Sequence, residues 1–210
     1  MRNLFVLTVL LFSLVTRAQF SGSIDFKYYT LRDTTDNVYW VKGNKIKLDQ
    51  YAKKSKNIEG SFVFDLSEKT IKFVNPKRKV WGDQKSEIPP VVRGKCVSKK
   101  TGATKTIEGV KCKEYIVTNT EEDTEITYWI ADNKLDFFVP MMELWNRKDK
   151  QSIYFSKIKG VSKGAMPFLS EERQISTKKF VSKLEVVSVN KGKVDDSNLS
   201  VPANYKKFEQ

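Results

Sequence analysis

The side chains that could do covalent or acid–base work are few, and their pattern points away from catalysis. Histidine is absent from the 210 residues. That removes Ser-His-Asp and Cys-His nucleophiles, His-ligated zinc or haem, and the usual general base near neutral pH. The two cysteines, Cys96 and Cys112, are too few for a four-ligand zinc site, and no phosphate-cradling Gly-rich loop or GxSxG elbow is present. Paired carboxylates are the one remaining route, because glycosidase-type chemistry needs only two acids at a set separation. The acidic candidates are the run Glu121-Glu122-Asp123-Thr124-Glu125, Glu171-Glu172 and Asp195-Asp196. All three fall at turns or strand ends, where acids are ordinarily solvated, and none sits in an aromatic sugar-binding context. The 121–125 run also lacks the loop spacing of a calcium site. The expectation is a protein that is not an enzyme and holds no cofactor or metal.

The elements that would position any site are mostly strands. Residues 22–30 alternate, with Ile24, Phe26 and Tyr28 on one side and Asp25 and Lys27 on the other, the period of a half-buried strand. Residues 38–41 and 46–48 read as a hairpin turning at Gly43-Asn44, residues 61–66 and 70–74 as a second, and Asn75-Pro76 leads into Val80-Trp81. Further strands are expected at 105–109, 112–118, 124–131, 171–177 and 180–189. Between them, Leu135 to Trp145 is apolar except for Asp136 and Glu143 and contains Pro140, which suits the first turn of a helix and not a central strand. Met141, Leu144 and Trp145 would share one face of it. A loose segment through Gly160, Gly164 and Pro167 follows, and residues 194–208 read as a short turn or 3₁₀ element.

Residues 1–18 have the layout of a cleaved secretory signal: Arg2, an apolar stretch from Leu4 to Val15, then Thr16-Arg17-Ala18. The 12 residues of that stretch rise only about 18 Å as a helix, against a hydrocarbon core of about 30 Å, so a transmembrane anchor is not expected. Residues 19–210 are then one soluble domain, periplasmic or secreted from a bacterium. The formal charge of +13 loses only Arg2 and Arg17 with the signal. Export makes nucleic acid an unsuitable partner and favours an anionic envelope component. In an oxidising compartment Cys96 and Cys112 are free to pair across a hairpin centred near Ala103-Thr104; two buried thiols are the alternative.

Three stretches resemble a family of exported bacterial proteins known only as a domain of unknown function, itself similar to the LolA/LolB-like lipoprotein carriers. They are Thr101-Gly102 with Thr106-Ile107-Glu108-Gly109-Val110-Lys111-Cys112-Lys113-Glu114-Tyr115, then Tyr128-Trp129-Ile130-Ala131, and the closing Val194 to Phe208 with Val201-Pro202-Ala203-Asn204-Tyr205. Val110 replaces a common aromatic and Asn204 a common Gly. The resemblance implies an α+β fold, mainly β: a strongly curved antiparallel sheet forming an unclosed half-barrel, with short helices across its concave face and an apolar cavity between. On that footing Phe137, Phe138, Met141, Leu144 and Trp145 would line the lid side of the pocket. Met166 and Phe168, in a loop made movable by Gly160 and Gly164, would join them. The leading reading is an envelope binding protein for a lipid or lipoprotein acyl ligand; the other is an interaction module for a protein or anionic glycan, with no lipid cargo. If the first 18 residues are a signal, Edman sequencing of the exported protein should begin at Gln19 or within a residue or two, and a cytosolic protein retaining Met1 would contradict export.

Overall fold

Meander connections and period-2 patterning run through nearly every element of the computed structural model, which describes residues 19–52, 57–86, 88–132 and 134–208. The expected signal segment, 1–18, lies outside the described residues. The strands are β1 (Ser21–Thr30), β2 (Thr34–Lys42), β3 (Lys45–Tyr51), β4 (Ile58–Asp65), β5 (Thr70–Asn75), β6 (Val80–Gln84), β7 (Val97–Ile107), β8 (Val110–Asn119), β9 (Thr124–Asp132), β10 (Ala165–Gln174), β11 (Phe180–Lys191) and the two-residue β12 (Lys206–Lys207). Helices α1 (Phe138–Trp145) and α2 (Lys150–Phe155) lie between β9 and β10, and a 3₁₀ turn covers Asp196–Leu199.

All twelve strands form one sheet in the order β12-β6-β5-β4-β3-β2-β1-β11-β10-β9-β8-β7, antiparallel except where β12 lies parallel to β6. The end strands do not pair with each other, so the sheet is a curved, unclosed half-barrel with two short helices, the α+β architecture expected from the sequence. Alternation sends Tyr39 and Val41 of β2 and Ile46 and Leu48 of β3 into the core, where all four are buried. The opposite face of the same strands carries a buried polar knot: Asp49 accepts from Trp40 Nε1 (2.9 Å) and Ser61 Oγ (2.5 Å) and pairs with Lys47 Nζ (3.1 Å). Every oxygen of that carboxylate has a partner, which is what allows it to be buried off the core side.

The core lies between the sheet and the helices. Trp145 packs its ring 4.7 Å from Phe62 and 5.1 Å from Phe64. Phe138 lies edge-on to Phe155 at 5.6 Å, and Phe155 in turn reaches Tyr128 at 6.0 Å. Phe137 meets Phe20 and Tyr39, each at 6.0 Å. These aromatics bridge both arms of the curved sheet.

Four sequence expectations need correction. First, the β7–β8 hairpin turns at Glu108-Gly109, both at positive φ (47° and 72°), a type I′ turn of the kind that suits sheet twist. Gly102 (φ 90°) instead sits at an irregularity within β7, between Lys100 and Thr104. Second, that register dismantles the proposed Cys96–Cys112 bridge. Cys112 opens β8 opposite Lys105, whereas Cys96 lies beside Asn119 at the other end of β8 (Sγ 3.9 Å from Nδ2). Seven residues of strand separate Cys112 from Asn119, about 23 Å, far beyond bridging distance; both thiols are free. Third, Gly164–Phe168 is not a movable loop. Ala165 opens β10, and Pro167 is tolerated because the ladder with β9 slips there, leaving Phe168 as the extra residue of a bulge. Gly164 is pinned, its carbonyl accepting from Leu135 N–H (2.9 Å), and a Cβ on it would lie 2.8 Å from Asp136. Fourth, α2 occupies part of the segment read as loose.

Burial pushes the Cys112 thiol up to about 11. The native protein should therefore alkylate slowly at Cys112 at neutral pH, and unreduced, denatured protein should consume two equivalents of alkylating agent. Consumption of none would restore the disulfide.

Candidate functional site

Helix α1 is apolar on more than one face, and that property builds the site. Phe138, Met141 and Trp145, spaced i, i+3 and i+7, point into the core and are buried. Val139 and Met142 fall on the other side and are only partly covered. Asn146 ends the helix in the left-handed region (φ 52°), its N–H bonded to the Met142 carbonyl at 2.9 Å. Three residues later Asp149 caps α2, its Oδ1 accepting from Ser152 N–H at 2.9 Å and its Oδ2 from Ser152 Oγ at 2.9 Å, a side-chain N-cap. Arg147 lies between the helices, 2.8 Å from Asp149 Oδ2 and stacked 4.7 Å over the Trp145 ring.

Two of the cavities beside this helical layer are bordered by residues of both helices. Beneath it, on the concave side of the sheet, a cleft of about 70 Å³ is bordered by Tyr28, Asn37, Tyr39, Phe138, Gln151 and Leu184. Over it, between α1, α2, the turn after α2 and the extended Pro89-Pro90 segment, runs a groove of about 360 Å³. Its apolar surface comes from Val139, Met142, Ile153, Phe155, Ile158 and Val161. Met142, Arg147, Ser152 and Phe155 border both spaces and form the wall between them. Of these two, the groove is the one that reaches the few hundred Å³ that ligand sites ordinarily have. On either side of its Pro89-Pro90 edge stand two strongly exposed apolar residues, Ile88 (84%) and Val91 (92%).

Of the seven residues expected to line a pocket, Phe137, Phe138, Met141, Trp145, Met166 and Phe168 are all buried in the core, and Leu144 is partly buried against it. Only Phe138 borders the concave cleft, and none of the seven borders the groove. The groove residues missed were Val139 and Met142 within the 135–145 run and Ile153, Phe155, Ile158 and Val161 beyond it. The legible signals were apolar residues on the second face of α1, and a capping Asp149 ahead of Ile153-Tyr154-Phe155.

The acidic candidates are dispersed. Glu171 and Glu172 are neighbours on a strand and so face opposite sides of the sheet: Glu171 bonds Arg173 at 2.5 Å, whereas Glu172 is 6% exposed and accepts from Ser182 Oγ at 2.7 Å. Ser182 in turn accepts from Gln151 Nε2 (2.8 Å), and Gln151 Oε1 accepts from Ser170 Oγ, so this network ties α2 to the sheet. Glu122 does the same from the β8–β9 turn. It accepts from the Tyr154 hydroxyl and from Arg93 N–H (2.9 Å) and lies 3.8 Å from Lys150 Nζ. It thereby holds α2 and the chain entering β7 together, next to the groove. Asp196 pairs with Lys42 at 2.8 Å. Among the described residues no cluster of three or more metal-ligating side chains is assembled, and no helix is long and apolar enough to cross a membrane.

Glu122, which is half-buried, and Glu172, which is buried, respond to pH with opposite sign. The Tyr154 hydrogen bond, with Arg93 N–H and Lys150, holds the Glu122 carboxyl below its ordinary value of 4.5. Its contribution is present above 4.5 and lost as pH falls below it. Burial raises Glu172 above 4.5 despite the Ser182 hydrogen bond, so the fold is favoured with Glu172 protonated and that contribution is lost as pH rises through the raised value. In urea unfolding at pH 7, Glu122→Gln should cost about 1–2 kcal/mol, with the deficit closing below about pH 4. Glu172→Gln should equal or exceed wild-type stability at pH 7. The reverse ranking would contradict this assignment.

Three solved structures superpose on the chain over most of its length. The MucA/MucB complex of Pseudomonas aeruginosa contains a chain superposing with a TM-score of 0.50 at 11% identity, over 90% of this chain and 58% of that one. PNGF-II superposes at 0.45 with 14% identity over 89% of this chain, which spans only 30% of PNGF-II. A LolA superfamily protein of Nitrosomonas europaea superposes at 0.36 with 9% identity, over 88% of this chain and 91% of that one. At 11% identity the likeness to the chain of the MucA/MucB complex is one of fold alone. No curated protein matches the sequence. Residues 20–205 match the domain of unknown function DUF4412, and the chain belongs to that family.

Proposed function

We propose that this protein is an exported, non-enzymatic binding protein of the cell envelope that holds an apolar or amphiphilic ligand in the groove over its helical layer. The observation that carries the reading is the groove itself: about 360 Å³ of space against partly exposed apolar side chains of α1, α2 and the following turn. An apolar surface kept open to water in this way is ordinarily a site of association. The resemblance to LolA-like carriers led to an acyl site in the concave interior. The 70 Å³ cleft there is too small for an acyl chain, so the binding role moves to the outer side of the helices.

Absence of catalysis is supported by the commitments of the acids. Glu122, Glu172, Asp196 and Asp123 are each engaged by a tyrosine, a serine, a lysine and Ser176 respectively, and histidine is missing altogether. Export rests on the signal pattern of residues 1–18.

A second reading, an interaction module for a protein or anionic partner, is favoured by the edge strand β7. Among the described residues it has no neighbouring strand on its outer side; it is exposed through Lys99–Thr106 and carries Lys99, Lys100 and Lys105. Lysines on a sheet edge also discourage strand addition, so this surface favours an anion over an added strand. The structural neighbour in the MucA/MucB complex is a protein bound to a protein.

The two readings separate at Ile153, which borders the groove and not the cleft. A fluorescent dodecanoyl probe should bind wild type, and Ile153→Glu should weaken it at least ~tenfold by placing a charge against the chain, with the melting temperature held. Equal binding by the variant, or none by wild type, would contradict the groove as an acyl site.

A further inference from the structure

The groove is apolar along its floor but its charges are not balanced. At one end stand Lys157 and Lys163, on the turn between α2 and β10, both exposed. Neither makes an ion pair among the described residues, in contrast to Arg147, which is already held by Asp149 and the Trp145 ring. Among the described residues the one acid in the groove's lining is Glu143, on α1. The turn that carries the lysines is shaped by short backbone bonds: Lys157 N–H to Tyr154 O (3.0 Å), Ile158 N–H to Phe155 O (3.1 Å) and Ala165 N–H to Ser162 O (3.2 Å). Gly160 turns the chain at φ 75° between the two lysines, with no atom near its missing Cβ. Ile158 and Val161, between the same lysines, face the groove and pack against the core. Two cations are thus set beside an apolar channel; the acids against their turn are Asp132, bonded to Ser162, and Asp136, beside Gly164, and neither forms an ion pair with Lys163 among the described residues.

We infer that the ligand is a single-chain anionic amphiphile, its apolar chain lying along Met142, Ile153 and Ile158 and its anionic head between Lys157 and Lys163. This rests on the groove being the binding site. Size agrees with one chain and not two, since 360 Å³ stands at the lower end of ligand sites. Sign agrees as well: an ammonium head would meet two like charges, and a neutral head would leave both lysines as they are. The lysine contribution is that of exposed pairs, so it should be modest and fall with salt.

Calorimetric titration below the micellar range with three probes of equal chain length, laurate, dodecanol and dodecyltrimethylammonium, reads this directly. Laurate should bind about five- to tenfold tighter than dodecanol at low ionic strength, the cationic probe weakest, with the laurate advantage shrinking toward unity by about 0.5 M salt. The double variant Lys157→Glu, Lys163→Glu should invert the order of laurate and dodecyltrimethylammonium and leave dodecanol unchanged. Acetate alone, lacking the chain, should not bind measurably. Equal affinity for all three probes, or a double variant that keeps the laurate preference, overturns the anionic assignment while leaving the groove as an apolar site. Binding of none of the probes overturns both.

Discussion

The aromatic seam between the helical layer and the inside of the half-barrel is the contact on which everything else depends. A sheet of twelve strands that does not close leaves one large apolar concavity, and such a face must be covered. The cover here is small, two helices of eight and six residues, so its few side chains have to be large. Trp145 against Phe62 and Phe64 anchors one end, and Phe138 with Phe155 and Tyr128 the other. Short helices of this kind have little stability of their own in water, and it is the burial of these rings that fixes them.

That solution has a consequence for binding. Rings that fill the concavity leave a cleft of only about 70 Å³ beneath the helices, so the interior is a packed core. Because α1 is apolar on its second face as well, covering one apolar surface exposes another, and the groove of Val139, Met142 and Ile153 follows. The buried link Gln151–Ser182–Glu172 and the half-buried link Tyr154–Glu122 set the height and angle of α2 above the sheet. Their role in the site is to hold the groove's wall, without touching a ligand themselves.

Most of the strands were legible because one face of each is buried: alternation alone placed β1 to β5 and β8, β9 and β11 to within a few residues. The failures have local causes. A hairpin centre near Ala103-Thr104 suited the cysteine pair, but the neighbouring Gly102 serves an irregularity in β7, while the real turn, Glu108-Gly109, was hidden inside a polar run; the cysteine pairing fell with that register. Pro167 argued against a strand, yet a bulge on β10 accommodates it. Helix α2 is too short to display a period, leaving only the cap at Asp149 to announce it. The site was the hardest to read. Apolar residues on the two faces of α1 have the same composition, and which face meets the sheet depends on contacts with Phe62, Phe64 and Tyr39 that lie about a hundred residues away.

The central claim is that ligand lies outside the helical layer and not within the half-barrel. A crystal structure of the protein with 12-bromododecanoate, read by the anomalous signal of bromine, tests it most directly. The account predicts a bromine peak in the groove, near Met142 and Ile153, with Trp145 still seated on Phe62 and Phe64. A peak beneath Phe138 and Met141, with the helices lifted from the sheet, would contradict it.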